Sequence, residues 1–352
     1  MKNLLFKRIL FIFIILFLLS ISMGCIDFDS ESANKSQIEI NYSIITVTDP
    51  YGNKVNITHT PQRIICQNAQ TAELLVDIGA GDMIVGLVDE AMTDQYQYLL
   101  KQTPNAISIG TCMRPNIETI ISLKPDLLIF YGYKKPTNVE KILSTNVTLI
   151  YTDSYRLQKL PEEARMLGKI TGKEKEAELY SNFTEYYISL VKKRMDNINE
   201  YEQKRVYFEA WTNYTTFASD SDLQQVITIL SAKNIAENIS VSGTVSPEWL
   251  IEQNPDVIFK IVLTGENVTD VREKFINRLG SSKLKAVQEN QVYVMYTDTT
   301  SSPRAVIGML YIAKALFPKR FADIDPEKVL QEYATKFLPG SDPPDSFYPL
   351  NP

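Results

Sequence analysis

The sequence predicts an α/β protein built from two Rossmann-like parallel-sheet lobes joined by a single long helix. Three observations support this class. Strand and helix patterns alternate along the chain, one helix–proline–strand unit occurs twice, and a long charged helical stretch separates its two copies. Such alternation is typical of parallel sheets, because a crossover helix connects strands that run in the same direction. At 352 residues, the chain also exceeds the length that one core usually organises.

The patterns divide the chain into five predicted segments. Residues 1–25 are a signal peptide with a lipobox, and residues 26–40 are a flexible tether. Residues 41–158 form an N-terminal lobe, residues 159–204 a connecting helical region, and residues 205–352 a C-terminal lobe. The first two segments therefore concern export, and the other three form the folded molecule.

The first segment has the order of a secretory signal. Basic residues among the first eight precede an apolar run from Ile9 to Leu19, which is shorter than the ~20 residues of a membrane span. The following Ser22-Met23-Gly24-Cys25 resembles a lipobox, in which the Cys25 thiol carries the lipid. An uncleaved N-terminal anchor with an incidental cysteine is the alternative. Either interpretation places the rest of the chain at the extracellular face of the cytoplasmic membrane.

Asn-x-Ser/Thr sequons are more frequent than the composition predicts, and each is an acceptor site for a glycan on an exported chain. They lie at Asn34, Asn41, Asn56, Asn146, Asn182, Asn213, Asn238 and Asn267. Chance in an Asn-rich chain is the alternative to a surface glycoprotein.

The predicted N-terminal lobe begins with a β-hairpin. Ile44 to Ile57 alternates around the turn cluster from Asp49 to Asn53. Strand and helix patterns then follow one another. The predicted strands are Arg63–Cys66, Met83–Val88, Asp126–Tyr131 and Val147–Tyr151, and the predicted helices are Thr71–Ile78, Ile117–Leu123 and Val139–Leu143.

The predicted connecting region is a long charged helical stretch from Leu160 to about Asn199, interrupted at Gly172. A helix from about Glu174 to Asn199 would be ~39 Å long, enough to join two lobes. Strand–helix alternation then resumes and the chain finishes with two helices. The segments are Val206–Ala210, Leu223–Leu230, Trp249–Gln253, Val257–Ile261, Val271–Leu279 and Val292–Met295, and the final helices are Ala305–Phe317 and Pro326–Phe337.

The repeated unit is a short helix with an early glutamate, then a proline that ends the helix, then a buried strand. The first copy runs from Glu118 through Pro125, and the second from Glu248 through Pro255, so the glutamate-to-proline spacing is seven in both. Two such units about 130 residues apart indicate two similar lobes related by an approximate two-fold.

The composition argues against several function classes. The single histidine, His59, excludes metal sites that need two or more imidazoles, and its predicted place at the end of the hairpin favours a solvated ring. A balance of 36 basic against 42 acidic residues argues against nucleic acid as a partner. No nucleophile elbow or phosphate-binding glycine loop is present, so we expect no enzyme, no cofactor and no resident metal.

Several segments in this order resemble the solute-binding proteins of ABC importers for iron-siderophores, haem and cobalamin. They are the repeat, the long helix, Thr48–Val55 followed by Pro61–Ile65, and Ala72–Ala80 followed by Ile84–Gly86. The resemblance covers about Ile45 to Leu338. It implies a monomer with a ligand cleft between two lobes that close only slightly, and a permease dimer with a cytoplasmic ATPase as partner.

The resemblance also implies a role for the two repeated glutamates. In such proteins a glutamate at this place in each lobe docks onto arginines of the two permease subunits, and the matching residues are Glu118 and Glu248. Charge complementarity of this kind fixes register and on-rate. A glutamate favoured in a first helical turn by the macrodipole is the alternative, and both can hold.

Ligands of open parallel sheets bind beyond the carboxyl ends of the strands, which nominates a set of loop residues in both lobes. Aromatic members can stack on a flat chelate, and cationic members can bind carboxylates of a metal complex such as a ferric siderophore, haem or a corrinoid. The predicted ligand-binding residues are Asn68, Met113, Arg114, Tyr131, Tyr133, Lys134, Trp211, Tyr214, Lys260 and Arg304. For each, a solvated loop charge or a packed aromatic ring is the alternative.

Two questions stay open at this point. Cys66 and Cys112 both follow predicted strands, so a disulfide and two unpaired thiols are equally compatible with the sequence. A sensory or structural surface protein that binds ligand without transport, and a secreted hydrolase, are the alternative functions.

Overall fold

Two parallel sheets and the helices that flank them make up the part of the chain that the computed structural model describes, and the predicted fold class is confirmed. The described residues are 44–132, 139–145, 147–219, 221–239, 243–263 and 265–340. The predicted signal peptide with Cys25, the tether, and the sequons at Asn34, Asn41 and Asn146 lie outside them.

The strands, in chain order, are β1 (Ile45–Thr48), β2 (Lys54–Ile57), β3 (Ile64–Cys66), β4 (Ile84–Leu87), β5 (Ile107–Ser108), β6 (Gly110–Thr111), β7 (Arg114–Pro115), β8 (Leu127–Tyr131), β9 (Thr148–Thr152), β10 (Arg205–Glu209), β11 (Lys233–Asn234), β12 (Val257–Val262) and β13 (Val292–Tyr296). The helices are α1 (Ala69–Asp77), α2 (Gln97–Gln102), α3 (Ile117–Ser122), α4 (Val139–Leu143), α5 (Leu160–Thr171), α6 (Glu174–Met195), α7 (Asp222–Ile229), α8 (Pro247–Gln253), α9 (Val268–Ile276), α10 (Lys285–Gln288), α11 (Ala305–Leu316) and α12 (Pro326–Phe337).

The hairpin β1–β2 forms where its alternation predicts it, with Ile45 opposite Ile57. Its turn is held by the Asp49 carboxylate, which accepts hydrogen bonds from the backbone N–H groups of Tyr51 and Asn53, both at 2.9 Å. Gly52 adopts φ +81° in this turn, a conformation that glycine reaches without strain. The hairpin then leads into the first parallel sheet.

The two sheets have matching topologies. The N-terminal sheet has the order β5-β4-β3-β8-β9 and the C-terminal sheet the order β11-β10-β12-β13, and all their pairings are parallel. The C-terminal order reproduces β4-β3-β8-β9 when β10 is matched to β3. Because α3 precedes β8 and α8 precedes β12, the repeated unit occupies the same place in both sheets.

The turn between helix and strand is also the same in both copies of the repeat. Lys124 and Asn254, each directly before the proline, adopt the left-handed conformation with φ 47° and 43°. The residue after the proline, Asp126 or Asp256, accepts a hydrogen bond from a backbone N–H group at the start of the neighbouring strand. The donors are Arg63, directly before β3, at 3.0 Å, and Arg205, the first residue of β10, at 2.9 Å. The aspartates therefore tie each repeated unit to the strand beside it.

The connecting helix α6 has 22 residues and spans about 33 Å, so it is shorter than the predicted ~39 Å. It ends at Met195 because Asn197 turns into the left-handed conformation with φ 66°. Gly172, with φ 70°, separates α5 from α6 at the predicted interruption. Within the part of the chain that the structure describes, no helix combines the length and the apolar character needed to cross a bilayer.

The last two helices return to the connecting helix and the N-terminal lobe. Tyr333 of α12 packs edge-on against Tyr180 of α6, with ring centroids 6.4 Å apart, and its hydroxyl donates to Asp77 of α1 at 2.5 Å. The main apolar core is continuous from the first sheet through α6 to α11, α12 and one face of the second sheet, including Phe208. Tyr207, on the opposite face of β10, belongs to a separate smaller cluster.

Gly308 lies where α11 approaches the turn after β13. A Cβ atom on Gly308 would lie 1.9 Å from the carbonyl oxygen of Thr299 and 2.8 Å from its carbonyl carbon. Because both neighbours are backbone atoms, we expect Gly308→Ala to lower the free energy of unfolding by about 2 to 3 kcal/mol in urea denaturation. Ala315→Ser, which adds one heavy atom to the half-buried side of the same helix, should change it by less than about 0.5 kcal/mol. Equal effects would contradict the close approach.

Candidate functional site

The carboxyl ends of the two sheets face each other across a cleft. Tyr131, at the end of β8, belongs to the first lobe, and Asp222, which begins α7 after β10, belongs to the second. Burial and then the neighbouring Tyr155 raise the pKa of Tyr131, and the Asp222 carboxylate adds to this rise. Tyr96 of the first lobe also donates to Asp298 of the second at 3.4 Å. Loops that follow the strands of both sheets therefore line one space.

On the first-lobe wall of the cleft, Gln67 organises the loops. This buried residue follows β3, and its side-chain amide donates to the carbonyl of Cys112 at 2.6 Å, while its side-chain oxygen accepts from the backbone N–H of Tyr131 at 3.1 Å. The short β6–β7 hairpin is thereby held beside the end of β8. Met113, which is 40% exposed, and the exposed Arg114 lie at the tip of this hairpin. The structure thus brings Met113, Arg114 and Tyr131 together, as the strand-end pattern predicts.

Asn68 begins α1 and is 5% exposed. Its side-chain oxygen accepts from the backbone N–H of Thr71 at 2.6 Å, so it caps the helix. Its buried Nδ2 has no hydrogen-bond partner among the residues that the structure describes. The two other predicted residues of this wall, Tyr133 and Lys134, lie outside the described ranges.

On the second-lobe wall, Glu209 at the end of β10 is fully buried between two cations. Its carboxylate lies 3.0 Å from Lys260 Nζ and 2.8 Å from Arg278 Nη1. The Lys260 ammonium also donates to the carbonyl of Ala210, and to that of Trp211 at 3.2 Å. This corrects the prediction that the charge of Lys260 faces a ligand, because Lys260 is 3% exposed and its donors are used by the protein.

The same ion-pair cluster fixes the aromatic residues of this wall. Since Lys260 holds the backbone of Trp211, the indole projects from an anchored loop and remains 53% exposed. The guanidinium of Arg278 covers the ring of the half-buried Tyr214 at 5.2 Å. Trp211 is therefore available to a ligand, whereas one face of Tyr214 is occupied by a cation.

Arg304 is the second cation whose predicted role the structure corrects. It is 1% exposed, and its Nε donates to Oε1 of Glu73 at 2.5 Å. Tyr98 completes this group by donating to the other oxygen of Glu73 at 2.8 Å. Burial raises the pKa of Glu73, and Arg304 and Tyr98 partly offset this. The cation pairs with a helix of the opposite lobe instead of facing the cleft.

The loop after β9 contributes cleft residues that the sequence analysis missed. Tyr155 packs against Tyr131 with ring centroids 5.3 Å apart, and its hydroxyl accepts from Arg156 Nε at 3.2 Å. Arg156 also lies 3.5 Å from the Asp153 carboxylate. Burial raises the pKa of Asp222, and Ser301 and Arg156 only partly offset this rise. Applying the strand-end pattern to β9 as well as β8 would have identified Tyr155 and Arg156.

Glu163 of α5 holds this loop in place through hydrogen bonds. Its carboxylate accepts from the backbone N–H of Asp153 at 2.8 Å and from the hydroxyl of Ser154 at 2.9 Å. Tyr51 of the hairpin turn donates to Asp153 at 2.5 Å from the other side and lies so close to Gly132 that no Cβ would fit there. The loop carrying Tyr155 and Arg156 is therefore fixed by buried groups of two elements.

Glu118 and Glu248 occupy the same place in their lobes. Each is the second residue of its helix, α3 or α8, and each side chain is exposed. The caps also correspond, because Asn116 accepts from the N–H groups of Glu118 and Thr119, and Ser246 accepts from that of Trp249. Local structure thus leaves both carboxylates free to face solvent.

The structure contains no cluster of three or more His, Cys, Asp or Glu side chains able to hold a metal ion within the ranges it describes. Cys66 and Cys112 are both free thiols, the first buried and the second partly exposed. His59 is exposed and lies 3.9 Å from Asp126, away from the cleft.

Comparison with known proteins gives a consistent match. The family model described as periplasmic binding protein matches residues 64–299. The substrate-binding lipoprotein YvrC of a Bacillus subtilis ABC transporter, itself uncharacterized, is 24% identical over 309 residues, or 85% of this chain and 94% of the relative. The Fe(3+)-citrate-binding protein YfmC of the same species is 27% identical over 273 residues, or 76% and 83%.

A solved structure shows the same fold. The molybdate-bound form of the periplasmic binding protein MolA from Haemophilus influenzae superposes with a TM-score of 0.72 at 22% identity, covering 86% of this chain and all of that one.

Glu163 gives a testable pH dependence. Burial raises its pKa to about 7, while the hydrogen bonds from Asp153 and Ser154 only partly offset this. Between its unfolded pKa of about 4.3 and 7, the folded chain keeps a proton that the unfolded chain has lost. The free energy of unfolding should therefore fall as the pH rises through this window, by on the order of 3 kcal/mol. Glu163→Gln should lack this decline in urea unfolding at a series of pH values, and parallel curves for the two proteins would contradict it.

Proposed function

Because the chain belongs to the periplasmic binding protein family, we propose that it captures an anionic metal chelate between its lobes and passes it to an ABC permease dimer. Family and relatives are solute-binding proteins and not enzymes. One observation carries the proposal. Trp211, Met113 and Arg114 remain exposed on anchored loops at the facing carboxyl ends of two sheets.

The exposed groups of the cleft suit a flat, negatively charged complex. Trp211 offers an indole face, and Met113 a polarizable thioether that adapts to irregular surfaces. Arg114 and the partly exposed Arg156 supply guanidinium groups, which bind carboxylates in a bidentate manner. The unpartnered Nδ2 of Asn68 adds a buried donor at the start of α1. An iron complex such as a ferric siderophore or haem satisfies these groups together, and a corrinoid-type chelate is the next candidate.

The relatives are named for chemically different ligands. One is named for iron(III) citrate and a structural neighbour for molybdate. A small oxyanion would need the two arginines and Asn68 but would leave Trp211 without a partner. The exposed indole therefore favours an organic chelate over a bare oxyanion.

Docking onto the permease follows from Glu118 and Glu248. Their identical positions in the two lobes match the two-fold arrangement of a permease dimer, and exposed carboxylates guide association by charge complementarity. We also propose that Cys25 carries a lipid, which holds the chain at the extracellular face of the cytoplasmic membrane while it docks. A relative is named as a lipoprotein.

Ligand identity can be tested by thermal unfolding of the chain with iron(III) citrate, ferric siderophores, haem, cobalamin and molybdate. A ligand of the cleft at 100 times its Kd should stabilise the fold by about 2.7 kcal/mol. We expect a ferric chelate to do so, and Trp211→Ala and Arg114→Gln each to weaken its affinity about tenfold in calorimetry, equivalent to about 1.4 kcal/mol. Trp249→Ala, which removes an indole that lies outside the cleft, should leave this affinity unchanged. If molybdate alone stabilises the fold, the ligand is an oxyanion and the proposed chelate is wrong.

Docking can be tested by reversing charge at both glutamates. Glu118→Arg with Glu248→Arg should abolish uptake into cells that carry the permease while leaving ligand affinity unchanged, because neither side chain is among the groups proposed to bind the ligand. Glu174→Arg is the matched control, since this exposed glutamate is also in a first helical turn and its loss costs the same ~0.3 to 1 kcal/mol of macrodipole stabilisation. Unimpaired uptake by the double variant would refute the docking role.

A further inference from the structure

Each of the two exposed glutamates has an apolar companion three residues later. Ile121 follows Glu118 on α3, and Ile251 follows Glu248 on α8. Residues three apart lie on the same face of a helix, so carboxylate and isoleucine are neighbours at both sites. Ile121 is 36% exposed, whereas its neighbour Ile120 faces the core and is fully buried. The repeat therefore duplicates a mixed charged and apolar surface.

In the first lobe this surface contains a pocket of about 230 Å³. It is lined by Ile120, Ile121, Lys124, Pro125, Ile142 and Thr145. The floor is apolar because Ile120 and Ile142 are both fully buried. Pro125 lies just before the amino end of β8, so the pocket opens at the opposite end of the strand from the ligand cleft. It is therefore separate from the binding site for the chelate.

In the second lobe the corresponding surface presents a projecting side chain. Gly280 lies against Ile251, and a Cβ on Gly280 would be 3.0 Å from the end of that side chain. The preceding Leu279 is 98% exposed. A fully exposed leucine beside a half-buried isoleucine gives the second lobe an apolar protrusion where the first lobe has a pocket.

We infer that these surfaces receive an apolar side chain of the permease next to the basic residue that pairs with each glutamate. In the first lobe that side chain enters the pocket beside Ile121, and in the second it lies against Leu279. This inference rests on the proposed docking role of Glu118 and Glu248. Two identical permease subunits can satisfy both sites, because the partner needs only one apolar group beside one basic group.

Charge alone would bind the permease weakly. Exposed ion pairs contribute only ~0 to 1 kcal/mol each, so two glutamates alone give orientation but little affinity. Side chains that fill well-packed, desolvated pockets usually dominate binding. Charge complementarity also defines the partner. Glu118, one helical turn before Ile121, requires a cation, and Lys124, which lines the pocket, requires a neutral or acidic group.

The experiment measures association of the full-length chain with its purified permease–ATPase complex in nanodiscs, at several salt concentrations. Thr145→Phe fills the pocket from an exposed position. We expect it to weaken the Kd about tenfold, equivalent to about 1.4 kcal/mol, at every salt concentration. Glu118→Arg should weaken association mainly at low salt, since salt screens exposed charges. Thr335→Phe, the same substitution at an exposed position of α12, should leave the Kd unchanged. Leu279→Ser should weaken association about fivefold.

The outcomes separate the inference from the proposed function. If Glu118→Arg weakens association and Thr145→Phe does not, the glutamate docks and the apolar anchor is wrong. If neither variant weakens it, or the native chain does not associate, the docking role itself fails and the inference fails with it. If Thr145→Phe and Thr335→Phe weaken association equally, the pocket has no specific role. Circular dichroism confirms that each variant is folded before it is compared.

Discussion

The buried ion pair between Glu73 and Arg304 connects the two halves of the molecule. Glu73 lies on the first helix of the N-terminal lobe, and Arg304 directly precedes α11, more than two hundred residues later. Both are 1% exposed, so separating them would leave two charges in an apolar interior, a change that typically costs 3 to 5 kcal/mol when one partner is lost. Together with Tyr333 on Asp77, this pair holds the C-terminal helices on the first lobe. The apolar core is continuous across the same boundary, so α11 couples the lobes in addition to the connecting helix α6.

The two lobes share one architecture but place different side chains at matching positions beside the cleft. Gln67 follows β3 where Glu209 ends β10, since Cys66 and Phe208 hold matching places in their strand registers. In the first lobe the neutral amide holds the hairpin that carries Met113 and Arg114. In the second the carboxylate holds Lys260, which anchors the loop of Trp211. A cation therefore faces solvent on one wall and an indole on the other. The asymmetry matches a ligand that has a charged part and a flat organic part.

Much of the fold follows from local patterns, whereas the pairing of charges does not. The hairpin, the repeated units and the interruption at Gly172 were predictable, because turn chemistry, helix caps and proline act over a few residues. The elements between residues 94 and 115 were missed, since strands of two residues and a six-residue helix are too short to show a period. Lys260 and Arg304 were predicted to face the ligand because the sequence shows that they lie near or beyond the ends of strands but does not show their partners. Those partners are Glu209, 51 residues away, and Glu73, 231 residues away. Tyr155 and Arg156 were missed although the same strand-end pattern identifies them.

The central claim is that coupled lobes hold the two docking carboxylates at one preset separation, with the chelate cleft between them. Pulsed electron paramagnetic resonance between spin labels at positions 118 and 248, attached through an introduced ketone-bearing amino acid so that the native thiols are untouched, measures this separation directly. The account predicts a single narrow distance distribution that changes little when a stabilising ferric chelate is added. A broad distribution, or two well-separated distances in the ligand-free chain, would show that the lobes move independently and would contradict it.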